Sequence, residues 1–163
     1  MHPITEKQIR TSFVNSTLRE RRELTLPDDF ADLDWDNLDY LGWRDRKFPN
    51  QGYVFAEIDD RLVGVIMRRS DAVVRRRAQC NWCEDVLLPN DVVFFSARRA
   101  GQAGRNGNTL GTLVCSGFEC PANVRVLPPP AYEGFDREAA RQQRIEALQL
   151  NVYAFVSAVL AGE

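Results

Sequence analysis

The sequence predicts an α+β fold: a small antiparallel sheet with short helices before it and one long helix after it. Three features predict it. Apolar, β-branched runs of strand length fill the middle of the chain. All four cysteines fall among those runs, and a triple proline is followed by apolar residues at helical spacing. A chain of 163 residues and 18.6 kDa suits one domain. The expected organisation over 1–163 is a helical N-terminal segment (1–50), a sheet with the cysteine region (51–127) and a C-terminal helix (136–161).

A first helix is expected from Thr5. Thr5-Glu6-Lys7-Gln8 has the capping-box form, in which the Thr hydroxyl and the Gln side chain satisfy otherwise unpaired amides. Ile9 and Phe13 then share a face. Leu26-Pro27-Asp28-Asp29-Phe30 looks like a second start, with proline and acidic groups in the first turn. Asp32, Asp34 and Asp36 suggest a calcium loop at first sight. An EF-hand, however, needs Gly at loop position 6 and Glu at position 12, where this chain has Asn37 and Trp43. These acids read as a solvated face with helix caps.

Tyr53 to Ile58 and Leu62 to Met67, joined by Asp59-Asp60-Arg61, form a hairpin signal. Asp91 to Ala97 and Thr109 to Val114 are two further strand candidates, separated by a glycine-rich loop, residues 100–108. Pro128-Pro129-Pro130 is a stiff spacer. After it, residues 136–161 read as one helix capped by Asp136 and ended by Gly162. Ile145, Leu148, Val152, Phe155 and Val159 line up one apolar stripe. Two roles suit that stripe: packing on the domain's own sheet, or serving as a groove-binding or dimerising seam. The spacing alone leaves the oligomeric state open.

Composition excludes several classes. Hydrophobic residues make up 44% and charged residues 27%, which rules out long disorder and collagen-like sequence. No apolar run approaches the ~20 residues of a membrane span. The start, Met1-His2-Pro3-Ile4-Thr5-Glu6-Lys7, has neither the basic nor the apolar part of a signal peptide. The expected compartment is therefore the cytoplasm, where clustered cysteines favour metal over disulfides.

The cysteines are spaced Cys80-x2-Cys83, then 31 residues, then Cys115-x4-Cys120. Two close pairs separated by a hairpin-sized insert suit one tetrahedral zinc ion with four thiolate ligands. Cys80-Asn81-Trp82-Cys83 forms a knuckle, and Cys120 precedes Pro121, which fits the first turn of a helix. Knuckle, hairpin and ligand-bearing helix make the treble-clef arrangement. Four thiolates close the coordination shell, so the zinc is expected to be structural. The one histidine, His2, leaves no partner for a nucleophile triad. Gly101, Gly104, Gly107 and Gly111 match neither a dinucleotide fingerprint nor a P-loop. No catalytic residue is assigned, and an enzyme is not expected.

The net charge of −2 hides an uneven distribution. Residues 1–60 hold 8 basic and 13 acidic side chains, whereas residues 61–130 hold 10 basic and 5 acidic. Arg68, Arg69, Arg75, Arg76 and Arg77 lead into the first knuckle, and Arg98, Arg99 and Arg105 flank the glycine-rich loop. If zinc-bound strands fix that loop at both ends, its amides and arginines form an ordered polar surface for phosphate or carboxylate. Alternatively, the arginines are solvated and balance the negative zinc–thiolate centre.

The run Phe95-Ser96-Ala97-Arg98-Arg99-Ala100-Gly101-Gln102-Ala103-Gly104-Arg105-Asn106-Gly107-Asn108-Thr109-Leu110-Gly111-Thr112, followed by Cys115 and Cys120, resembles the elongation-factor-G-binding (FusB-type) family through its C-terminal treble-clef zinc-finger domain. Asn123-Val124-Arg125 and Leu41-Gly42-Trp43-Arg44-Asp45 resemble it too, and the likeness covers roughly residues 5–160. It implies zinc ligation by Cys80, Cys83, Cys115 and Cys120. It also implies a non-enzymatic protein that binds elongation factor G. Resistance members help release that factor from ribosomes stalled by fusidic acid. They carry an N-terminal helical bundle for which this chain has no room, so the likeness implies binding more directly than drug protection. On this basis Arg98, Arg99, Arg105 and Asn108 are expected at the partner surface. The alternative is a zinc-ordered module that contacts ribosomal or other RNA through the same arginines.

Overall fold

The computed structural model describes residues 1–70, 78–85, 87 and 89–162. Arg75, Arg76 and Arg77 therefore lie outside the described residues. Helix α1, Glu6–Thr11, begins where the capping box puts it: Thr5 accepts from the Gln8 amide, and the Gln8 side chain accepts from the Thr5 amide. Helix α2, Leu18–Glu23, uses the same device at Thr17 and Glu20. The Pro27 region forms two short 3-10 turns, Phe30–Asp32 and Trp35–Asn37, rather than a full helix. The segment expected to be helical ends in a strand, β1, Leu41–Arg44.

Strands β2, Gln51–Ile58, and β3, Arg61–Arg69, form the expected hairpin. Its two-residue turn puts Asp59 and Asp60 at φ 48° and 62°, the left-handed region that short-chain acids tolerate. Strands β4, Val92–Arg98, and β5, Thr109–Cys115, pair in full register. The five strands run antiparallel in chain order from β1 to β5. The stretch expected to be a glycine-rich loop contains a short helix, α3, Gly101–Arg105. Helix α4, Cys120–Arg125, has Pro121 in its first turn, and α5 runs Arg137–Leu160 with Asp136 accepting from the Ala139 amide.

Period-2 alternation divides the strand side chains between two cores. On the outer face, Leu41, Trp43, Tyr53, Phe55 and Ile66 pack under Ile4, Ile9, Phe13 and Leu24 of the N-terminal segment. On the inner face, Val54, Val63, Val65, Met67, Phe95 and Val114 pack against Leu148, Val152, Val156 and Val159 of α5. The apolar stripe of α5 thus covers the domain's own sheet, which answers the choice left open by its spacing. Ile145 and Phe155 line its margins, and Val156 extends it. Among the described residues no helix is long and apolar enough to cross a membrane.

Candidate metal centre

Cys80 and Cys83 lie on the turn that follows residues 71–77, and both are buried. The Asn81 amide bonds to Leu113 O at 2.8 Å, which ties the knuckle to the outer edge of β5. Cys115 is the last residue of β5, and Cys120 the first of α4. Between them Phe118 adopts φ 65°, and its amide bonds back to Cys115 O at 2.9 Å. That tight turn returns the chain so that Cys120 faces Cys80.

The four sulfur atoms all lie within 4.8 Å of one another. Cys80 Sγ is 3.6 Å from Cys120 Sγ, and Cys83 Sγ is 3.8 Å from Cys115 Sγ. A disulfide needs about 2.0 Å, so these are free thiols. A tetrahedron with zinc–sulfur bonds of about 2.3 Å has edges of about 3.8 Å. The cage therefore fits one zinc ion as it stands. Among the described residues this is the one group of three or more potential ligands that converges on a point.

Electrostatics argue the same way. Hydrogen bonds from the Cys115, Cys120 and Cys83 thiols hold Cys80 far below the usual thiol range. Contacts with Cys115, Cys80 and Cys83 push Cys120 far above it. Four sulfurs this close share their protons unequally because they cannot all ionise beside one another. A divalent cation at their centre removes that conflict.

The surroundings complete the site. The Trp82 amide points at Cys80 Sγ (3.4 Å), and Asn123 Nδ2 points at Cys115 Sγ (3.5 Å) while also donating to Asn90 Oδ1 (3.0 Å). Such donors spread the sulfur charge and fix ligand orientation. Trp82 is fully buried, edge-on to Tyr40 and tilted against Phe155 and Phe118. Burial pushes the Tyr40 phenol well above its ordinary value, so it stays neutral and donates to Phe118 O at 3.1 Å. Helix α5 braces both ligand pairs from outside. Asn151 donates to Trp82 O and Glu84 Oε1, each at 3.1 Å, and Arg144 joins Asp85 to the Asn123 carbonyl.

This geometry agrees with the spacing argument and with a family model, the FBP C-terminal treble-clef zinc-finger, that matches residues 8–159. The chain belongs to that family. Its four cysteines form the zinc-finger site of this FusB-type domain and hold one structural Zn2+. No curated protein and no solved structure matches the chain.

The structure corrects the expectation that zinc-bound strands fix this loop at both ends, and the alternative that its arginines balance the zinc–thiolate centre. Thr109 pairs with Arg98 at one end of the β4–β5 hairpin, and Cys115 pairs with Val92 at the other. Thr109 and Cys115 lie six residue steps apart along β5, about 20 Å. Arg98, Arg99, Arg105 and Asn108 are thus grouped together but far from zinc, and they neither neutralise it nor are ordered by it directly. Helix α5 orders them instead. The Ala100 amide bonds to Val159 O at 2.9 Å, and the Ala103 amide to Gly162 O at 3.3 Å. Asn108 closes the connection, accepting from the Arg99 amide at 3.0 Å. Arg98, Arg105 and Asn108 are exposed and Arg99 is half-buried. Arg68 and Arg69 pair with Ser96 and Phe95, where β3 meets β4.

Proposed function

We propose that this protein is a non-enzymatic binding module whose partner is elongation factor G, and that by holding this factor it modulates release from the ribosome. Membership of the FBP C-terminal treble-clef family over residues 8–159 carries this reading. The metal chemistry supports the non-enzymatic part, since a closed shell of four thiolates offers no position for an activated water. The end of the β4–β5 hairpin supplies a candidate contact surface, with Arg98, Arg105 and Asn108 exposed on a connection held at both ends. A basic surface of fixed shape favours encounter with an acidic partner and limits the ordering cost of docking.

The test is capture of purified elongation factor G by the immobilised zinc-loaded protein. Wild-type protein should retain the factor. The double substitution Arg98→Glu and Arg99→Glu should weaken retention without changing zinc content. Unaltered retention would remove these two residues from the interface, and no retention by wild type would overturn the proposal. A steep loss of capture with salt, by a factor of ~10³ or more, would indicate phosphate contacts and favour the RNA alternative.

A further inference from the structure

The sheet opens between β3 and β4. They pair at Arg68–Ser96 and Arg69–Phe95 and then part. Residues 12–15 enter the gap: the Val14 amide bonds to Gly64 O at 3.0 Å, and the Gly64 amide to Ser12 O at 2.9 Å. Asn15 then spans the opening. Its Nδ2 donates to Ile66 O (3.0 Å) and Arg98 O (2.9 Å), and its Oδ1 accepts from the Ile66 amide at 2.8 Å. What remains on the outer face is a groove of about 320 Å³ between α2 and the start of β5, lined in part by Glu20, Arg68, Ser96, Arg98 and Thr109.

One carboxylate already sits on this groove's wall. Glu20 accepts from the Thr17 amide at 2.7 Å, the Thr17 hydroxyl at 2.9 Å and Arg68 Nη2 at 2.6 Å. Burial opposes its charge, but Thr17, Arg68 and Arg98 together hold its carboxyl below the ordinary range. Arg68 is thereby committed to Glu20. Arg98 has no ion pair among the described residues, and its root is fixed on two sides, by Asn15 on its carbonyl and by pairing with Thr109. A guanidinium on a fixed root, lining a groove that Ser96 and Thr109 also line, is arranged to take a planar anion.

We propose that this groove binds a carboxylate side chain from an acidic protein segment, with Arg98 as its ionic partner and the Ser96 and Thr109 hydroxyls beside it. With Glu20 offsetting Arg68, the described residues of the groove leave one uncompensated positive charge, which matches a single carboxylate. A phosphate dianion would face the Glu20 charge, and among the described residues no aromatic side chain lines the groove for base stacking. The proposal deepens the preceding section by stating what Arg98 recognises, and it rests on that section only for the partner's identity.

The test is an NMR titration of the zinc-loaded full chain with a capped triglutamate peptide, in parallel with capped triglutamine and with inorganic phosphate. Triglutamate should shift the Arg98 side-chain Nε–H and the Ser96 and Thr109 amides, saturably, while triglutamine should not. Arg98→Gln should weaken this response by about tenfold or more, as expected for loss of a charge-assisted bond. Shifts spread over all exposed arginines, a response to phosphate as strong as to triglutamate, or an unchanged response in Arg98→Gln would each overturn the assignment. If triglutamate binds as described but elongation factor G is not captured, the groove stands and the partner's identity falls. Capture together with an unaltered peptide response in Arg98→Gln refutes the groove alone.

Discussion

Asn123→Ala isolates what the surroundings of the zinc contribute. The Asn123 side chain is buried at 8% exposure and makes two bonds through one nitrogen, to Cys115 Sγ at 3.5 Å and to Asn90 Oδ1 at 3.0 Å. The other side chain in hydrogen-bond contact with Cys115 among the described residues is a fellow ligand, Cys83, at 3.8 Å. Removing such a donor typically lowers metal affinity ~10–100-fold. That corresponds to about 1.4–2.8 kcal/mol. The 3.5 Å separation places the expected effect toward the lower end. Asn123→Asp should be worse than Asn123→Ala, because it sets a carboxylate beside a centre that already carries net negative charge. Competition with a chromophoric chelator measures the affinities, and circular dichroism of the zinc-loaded variants checks that the fold is retained. Affinities within about twofold of wild type for both variants would refute the idea that this amide stabilises the bound thiolate.

Two further outcomes follow from other parts of the fold. Gly104→Ala should loosen the α3 connection, because a Cβ there would lie 1.8 Å from Arg99 O; overpacking against backbone costs about 1–3 kcal/mol. A lower thermal midpoint with faster amide exchange at Ala100 and Ala103 is expected, and unchanged exchange would contradict the close approach. Asp45 is buried, and although burial opposes its charge, Tyr53 and the Phe48, Lys47 and Thr25 amides hold its carboxyl below the ordinary value. A folded-state value below the unfolded one contributes stability at neutral pH that is lost as pH falls below about 4. The urea-midpoint gap between wild type and Asp45→Asn should therefore be constant near neutrality and narrow in acid. Both chains carry the same zinc site, so the gap reports the carboxylate, and a gap that widens in acid would reverse the assigned sign.

The parts legible in the sequence were those written in local chemistry. The Thr5 box, the β2–β3 hairpin, the cysteine spacing and the α5 stripe each need only neighbouring residues to be recognised, and each appears in the structure. Strand β1 was missed because four residues containing Gly42 carry no usable alternation. Its extended form comes from pairing with β2 and from Gly42 lying under Phe118, where a Cβ would meet the Phe118 Cβ at 2.8 Å. Helix α2 went unread because it has no buried residue and so shows no apolar period to go with its cap at Thr17. The arginines were placed near zinc because they are near cysteines in sequence. A hairpin instead sends its connection and its terminal ligand to opposite ends of the same strands. The roles of Arg144 and Asn151 depend on how α5 docks, and that of Asn123 on how α4 folds back beside Cys115; no spacing rule encodes either.

Zinc binding of this kind contributes about 10–16 kcal/mol of apparent folding energy in small finger peptides. That rivals the roughly 5–15 kcal/mol stability of a typical domain. The cage joins the β5 edge, α4 and the knuckle, so its loss should release the inner core around Trp82 and not the cysteines alone. Native mass spectrometry of freshly purified protein, before and after chelation, tests this most directly. One zinc per chain and a narrow low charge-state distribution are expected, giving way to a broad, highly charged, unfolded distribution once the metal is removed. A metal-free chain that keeps the compact distribution would contradict the claim that four converging thiolates on one ion hold this domain together.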